Sequence, residues 1–317
     1  MSKPKKHHYV PQGYLKFFSK ENEKGDFITC VFDKKTRKEF ETNIAYIAEK
    51  KYYNTVNDDR FIVPTPDGDP LYYEYKYIEL IEGRIPQIIN NVISACTLCR
   101  RDEQILSKKV KYDLATLIVV QLLRTPKTRQ YMHELGEPIY RSITASIREQ
   151  IESLQDMDKK KQFLNVLDAF NYTEAFSKSV HLQWTTDSDT LNKFIQVLVQ
   201  NRSWVIYENV ISNLIPFITS DNPILMYNLE SKKSGLEVNA LDNKMTVITM
   251  ALTPKFMISL YHKGCVYGHY SQEFENKCVP IKETEFILNQ TWLQLEQCSR
   301  QTYKKPDYNN QKFDSKF

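Results

Sequence analysis

Two kinds of hydrophobic pattern divide the chain. Near its start, Tyr14, Leu15, Phe17 and Phe18 gather on one side of a short predicted helix, with Pro11 in its first turn. Residues 27–33 then read as a strand, and 38–42 as its return after a Lys/Arg-rich turn, which predicts a hairpin. Residues 44–50 read as a short helix and 51–54 as a brief strand. A loop is expected over 57–70, where Asn57-Asp58-Asp59 precedes Pro64, Pro66, Gly68 and Pro70.

Beyond that loop helical spacing takes over. Helices are predicted over 71–81 and 85–99, the second with Ile85, Ile88, Ile89, Val92, Ile93 and Cys96 on one face. Ser107 stands where an N-cap is needed for a helix over 108–123. The centre of that helix, Leu114 to Val120, is apolar on most faces, which predicts a central position. Further helices are expected at 127–152, 158–170, 172–180 and 187–199. Residues 203–208, 216–220, 245–252 and 256–261 read as strands, the second ended by Asp221-Asn222-Pro223, and a last helix is expected over 282–302. This order predicts an α+β fold: a small mixed or antiparallel sheet assembled from N- and C-terminal segments, with a large central helical insertion. Read as one domain over 1–317, it has a β-rich part (1–56 and 202–265), a helical part (71–200) and a C-terminal helix (282–302).

Composition narrows the class. With 41% hydrophobic and 26% charged residues over 317 positions, the chain is globular and long enough to bury a sizeable core. A formal net charge of +4 is too small by itself to argue for nucleic acid. The best apolar run, Leu114 to Leu123, is too short to span a bilayer, and the basic N-terminus lacks the apolar stretch of a signal peptide, so no membrane partner is expected. Six scattered cysteines suggest a reducing cytoplasm rather than a disulfide framework. Cys96 and Cys99 form a single C-x-x-C that no second pair completes, so they read as free thiols. There is no Walker A motif, no G-x-G-x-x-G after a strand, no H-E-x-x-H and no G-x-S-x-G.

Four groups of residues carry candidate chemistry. His7 and His8 can supply a metal ligand and a general base, or be a chance pair in a tail. The apolar segment just after them argues for a fixed place. Asp221, past a predicted strand, suits metal ligation or proton transfer, and equally an Asx-turn that caps the strand. Gln121 and Arg124 leave one face of the apolar helix, with Arg129 beyond. Either arginine can clamp a phosphate or carboxylate, or form an internal bridge, with Asp221 as one candidate partner. Asn289 and Arg300 in the last predicted helix are the fourth group.

These residues resemble a known family. Lys6-His7-His8-Tyr9-Val10-Pro11-Gln12-Gly13-Tyr14-Leu15-Lys16-Phe17-Phe18 resembles the opening signature of the bacterial proteins grouped as domain of unknown function 4238, although Gly13 stands where a bulky aromatic is more usual. Gln121 to Arg129 is similar to that family's central Q-x-x-R-T-P-x-x-R motif, and Thr219-Ser220-Asp221-Asn222-Pro223 to its S-D-N-P motif. Leu252-Thr253-Pro254 is similar to a later short element, and Asn289 to an expected helix Asn. The resemblance implies that the polar motifs form one site; it supplies no reaction.

Three functions are therefore open. The first is a metal-dependent nuclease or phosphodiesterase, with bacterial defence as a context. His7, His8 and Asp221 would be catalytic and hold a divalent ion such as Mn²⁺, Mg²⁺ or Zn²⁺. Gln12, Gln121, Arg124, Arg129, Asn222 and Asn289 would bind a nucleic acid or nucleotide. The second is a metal-free nucleotide hydrolase or transferase. The third is a binding or regulatory module whose polar network is structural. Oligomeric state stays open.

Overall fold

The helices follow the hydrophobic periodicity. They are α2 (Tyr72–Leu80), α3 (Ile85–Leu98), α4 (Lys108–Leu123), α5 (Pro126–Glu152), α6 (Met157–Ala169), α7 (Glu174–Thr186) and α8 (Ser188–Asn201). The computed structural model describes residues 5–56, 65, 68–99, 103–169, 171–265 and 272–308; most of the loop expected over 57–70 lies outside them. Caps stand where short polar side chains precede apolar runs. Ser107 Oγ accepts the Val110 N–H at 3.3 Å, Thr173 Oγ1 the Phe176 N–H at 3.1 Å and Asp187 Oδ2 the Thr190 N–H at 2.8 Å. All residues of α4 from Leu114 to Leu123 are buried, as its all-round apolar pattern predicts.

Among the described residues the strands form two sheets and a ribbon. One sheet has the order β2 (Lys20–Glu21), β3 (Phe27–Asp33), β12 (Gln301–Lys304), β7 (Thr219–Ser220), with β4 (Lys38–Asn43) also paired to β3. It joins N- and C-terminal segments, as expected. The other has the order β11 (Cys278–Ile281), β6 (Arg202–Asn209), β10 (Phe256–His262), β9 (Thr246–Ala251), β8 (Ile224–Asn228). Only its β11–β6 pairing is parallel. β1 (Lys6–His8) and β5 (Glu49–Lys51) make an antiparallel ribbon. Period-2 alternation gives the second sheet one face of Trp204, Ile206, Ile224, Met226, Ile248, Met250, Ile258 and Leu260, and these join Ile118 and Leu198 in one core cluster. The fold is α+β.

Several boundaries differ from the periodicity. The helix expected over 44–50 is a 3₁₀ turn at Ile44–Tyr46, and the strand expected at 51–54 lies earlier, at Glu49–Lys51. Within 216–220 only Thr219–Ser220 pairs, and the chain resumes as β8 immediately after Asn222-Pro223. The last helix, α9 (Thr284–Gln297), stops short of 302. Residues 301–304 leave it to pair with β3 and β7, a gain in ladder bonds that periodicity along one segment cannot register.

The N-terminal anchor forms as its pattern predicts. α1 (Gln12–Leu15) and a 3₁₀ turn bury Tyr14, Leu15 and Phe18. The Tyr14 hydroxyl donates to the Ala251 carbonyl at 2.6 Å and lies 2.8 Å from Thr219 Oγ1. A Cβ at Gly13 would stand 3.4 Å from Pro86 ring carbons, so α1 packs close against α3 there.

Candidate functional site

His7 and His8 lie on β1, where consecutive side chains point to opposite faces. The two imidazoles therefore enter different surroundings. His7 is fully buried. Its Nδ1 accepts the Asn54 N–H at 3.0 Å and stands 3.6 Å from Glu74 Oε2. Asn54 Nδ2 donates to the same Glu74 oxygen at 2.6 Å. Burial pushes the Glu74 carboxyl above its ordinary pKa, against the pull of Asn54 and His7.

Arg129 closes this buried network. It donates from Nη1 to the Tyr53 carbonyl at 2.8 Å, from Nη2 to Asn54 Oδ1 at 3.4 Å and from Nε to His181 Nδ1 at 3.2 Å. Its guanidinium stacks 3.6 Å from the Tyr53 ring centroid. His181 is thereby the tautomer protonated at Nε2, which donates to the Leu123 carbonyl at 2.9 Å. Burial, reinforced by the Arg129 charge, lowers the His181 pKa to about 3.

His8 faces the other way and is half-buried. Its Nε2 lies 3.4 Å from Gln12 Nε2, and Gln12 is exposed. Burial lowers the His8 pKa; Glu82 and Glu49 oppose the shift and Arg124 adds to it. The backbone beneath is held from α4. Gln121 Nε2 donates to the Tyr9 carbonyl at 2.9 Å, and Arg124 Nη2 donates to the His8 carbonyl. Arg124 pairs at 2.7 Å with Glu82 rather than with Asp221, and lies 4.7 Å over the Tyr77 ring. Its Nε and Nη1 have no hydrogen-bond partner among the described residues.

Asp221 performs a different task. It is 2% exposed, and its carboxylate accepts three backbone N–H groups: Ser299 at 2.8 Å, Arg300 at 2.7 Å and Gln301 at 2.9 Å. This fixes the turn from α9 into β12. Burial outweighs those bonds and raises the pKa of Asp221 to about 6. Asn222 Nδ2 donates to the Gln297 carbonyl at 3.1 Å, in the same turn. The carboxylate bears on the Tyr9 hydroxyl, whose pKa burial and then Asp221 raise. Asn289 is exposed and lines a separate cavity over the second sheet. Arg300 pairs with Asp33 at 2.7 Å.

His7, His8 and Asp221 thus do not form one donor set. The rings diverge, and both carboxylate oxygens are engaged by main-chain N–H groups. Among the described residues no group of three His, Cys, Asp or Glu side chains is placed to hold a metal ion. All six cysteines are free, and Cys96 lies beside Cys278, whose hydrogen bond raises the Cys96 pKa.

The first two motifs meet at β1, and residues 6–307 match the family described as protein of unknown function, DUF4238. The chain belongs to that family. No curated protein and no solved structure matches it. In this DUF4238 protein the opening and Q-x-x-R-T-P-x-x-R motifs build one polar frame, with partners that sequence reading missed. Tyr53, Asn54, Glu74 and Glu82 follow no motif spacing, so nothing in the sequence marked them. His181 belongs to no motif, and its bonds are those of a satisfied core histidine.

Proposed function

We propose that the protein is a hydrolase in which His8, as general base, takes a proton from the water that attacks a phosphoester of a nucleotide or nucleic acid, the P–O bond to the leaving alcohol breaking. The observation that carries this reading is the state of His8. Its imidazole is half-buried, lowered in pKa by desolvation, and mounted at the end of β1, where Arg124 holds the His8 carbonyl and Gln121 the Tyr9 carbonyl. A general base must be unprotonated at working pH, reachable and fixed in direction. Gln12, beside the ring, is positioned to orient a substrate oxygen or the attacking water. The buried frame behind it keeps the strand from yielding. This reading is written without a metal because His7 and His8 point to opposite faces of β1. Six free thiols fit a reducing compartment such as the cytoplasm. No helix among the described residues is long and apolar enough to cross a membrane.

A second reading has its own support. Gln121, Arg124, Arg129, Asp221 and Asn222 all bond to main-chain groups, which suits a binding or regulatory module with a purely structural network.

One experiment separates the two. Hydrolysis of bis(p-nitrophenyl) phosphate and of single-stranded RNA and DNA is measured with EDTA present, for the native protein and for His8→Ala, beside thermal unfolding. The hydrolase reading expects turnover to fall about 100-fold or more with the melting temperature preserved. Native turnover no greater than that of His8→Ala rejects it.

A further inference from the structure

The second sheet has a face that core packing does not explain. Its inner face is apolar throughout the core cluster, but the opposite face, under α9, carries hydroxyls at Tyr207, Thr249, Ser259 and Tyr261 beside Leu225 and Val247. The cavity enclosed between this face and α9 has a volume of about 330 Å³, within the range of small-molecule sites. Ser259 is fully buried on its floor, and its Oγ has no hydrogen bond of good geometry among the described residues, although the Tyr261 hydroxyl is near. A buried hydroxyl without a well-aligned partner is costly.

The rest of the lining specifies the chemistry. No charged side chain lines the cavity among the described residues. Thr249 Oγ1 donates to Gln290 Oε1 at 3.0 Å, and Asn289 stands next to Gln290 on the helix, at the exposed side. Phe286 and Trp292 supply aromatic walls, Trp292 being 41% exposed at the mouth. Carboxamides match the mixed donor and acceptor edge of a nucleobase, and aromatic side chains stack on its faces. A neutral lining favours a base over a phosphate.

We propose that the cleft between α9 and the hydroxyl-bearing face of the second sheet binds a neutral planar heterocycle of the nucleobase class. Ser259 and Thr249 meet it at the floor, Asn289 and Gln290 read its edge, and Trp292 stacks at the entrance. This site stands independently of the reading of His8.

The test titrates the full chain with adenosine, guanosine, cytidine and uridine, and separately with inorganic phosphate, by calorimetry and saturation-transfer NMR. At least one nucleoside is expected to bind with a Kd below about 1 mM. Asn289→Ala, an exposed position that should not disturb folding, is expected to weaken it about tenfold or more, as is Ser259→Val. His8→Ala should leave the affinity unchanged, and phosphate should not compete. Binding by none of the four nucleosides overturns the proposal. So does binding that survives both cleft substitutions, or that is lost in His8→Ala and kept in Asn289→Ala.

Discussion

Asp221 illustrates how one side chain can organise a distant part of the chain. Three main-chain N–H groups converge on its carboxylate, and they belong to residues about eighty positions later. Asp221→Ala leaves these donors unpaired and is expected to cost about 2–4 kcal/mol in urea unfolding, with Asp221→Asn losing less because one acceptor oxygen remains. A midpoint unchanged in Asp221→Ala would remove Asp221 from this role. Two buried groups also set opposing pH dependences. His181 has a folded pKa near 3 against about 6.5 unfolded, so the native state binds fewer protons between those values. Its contribution is complete above about pH 6.5 and is lost as pH falls towards 3. Asp221 has a folded pKa near 6, so its contribution declines as pH rises from about 4 to 6. Urea midpoints from pH 3 to 7 should rise less steeply in His181→Gln than in the native protein, and more steeply in Asp221→Asn.

At the scale of elements, α4 and α5 differ in what surrounds them. α4 has apolar side chains on every side and is enclosed, with Ile118 fully buried. α5 leaves Leu135, Ile139 and Ile143 about half exposed. Ile118→Ala should therefore cost about 3 kcal/mol, while Ile139→Ala should stay within about 0.5 kcal/mol in the same unfolding assay. Equal losses would mean that α5 is covered in solution. The periodicity located the cores of these helices because a helix is specified by neighbours three and four residues away. It failed at the end of α9, where pairing partners in β3 and β7 compete for residues 301–304. It also failed at β8, hidden behind Asn222-Pro223, since proline restrains the residue before it and leaves the following chain free to extend.

Across the whole molecule, β12 ties the chain's two ends together. It lies between β3 and β7, with Tyr303 fully buried in the same core as Val10 and Ile118. A chain ending at residue 297 is expected to lose cooperative thermal unfolding and to bind a hydrophobic dye, since β3 and β7 would become open edges. Retained cooperativity would show that β3 and β7 hold their places without β12. The amino-acid sequence alone determined the α+β class, the helical insertion, the N-terminal anchor and the polar residues of interest, because local periodicity and short motifs encode each of these. Tertiary structure decided which partners those polar residues meet. His7 and His8 were separated by strand alternation, Arg124 was given Glu82, and Asp221 was turned upon a main-chain bend. Such pairings join segments tens to hundreds of positions apart, and their energies depend on distances that no spacing along the chain records.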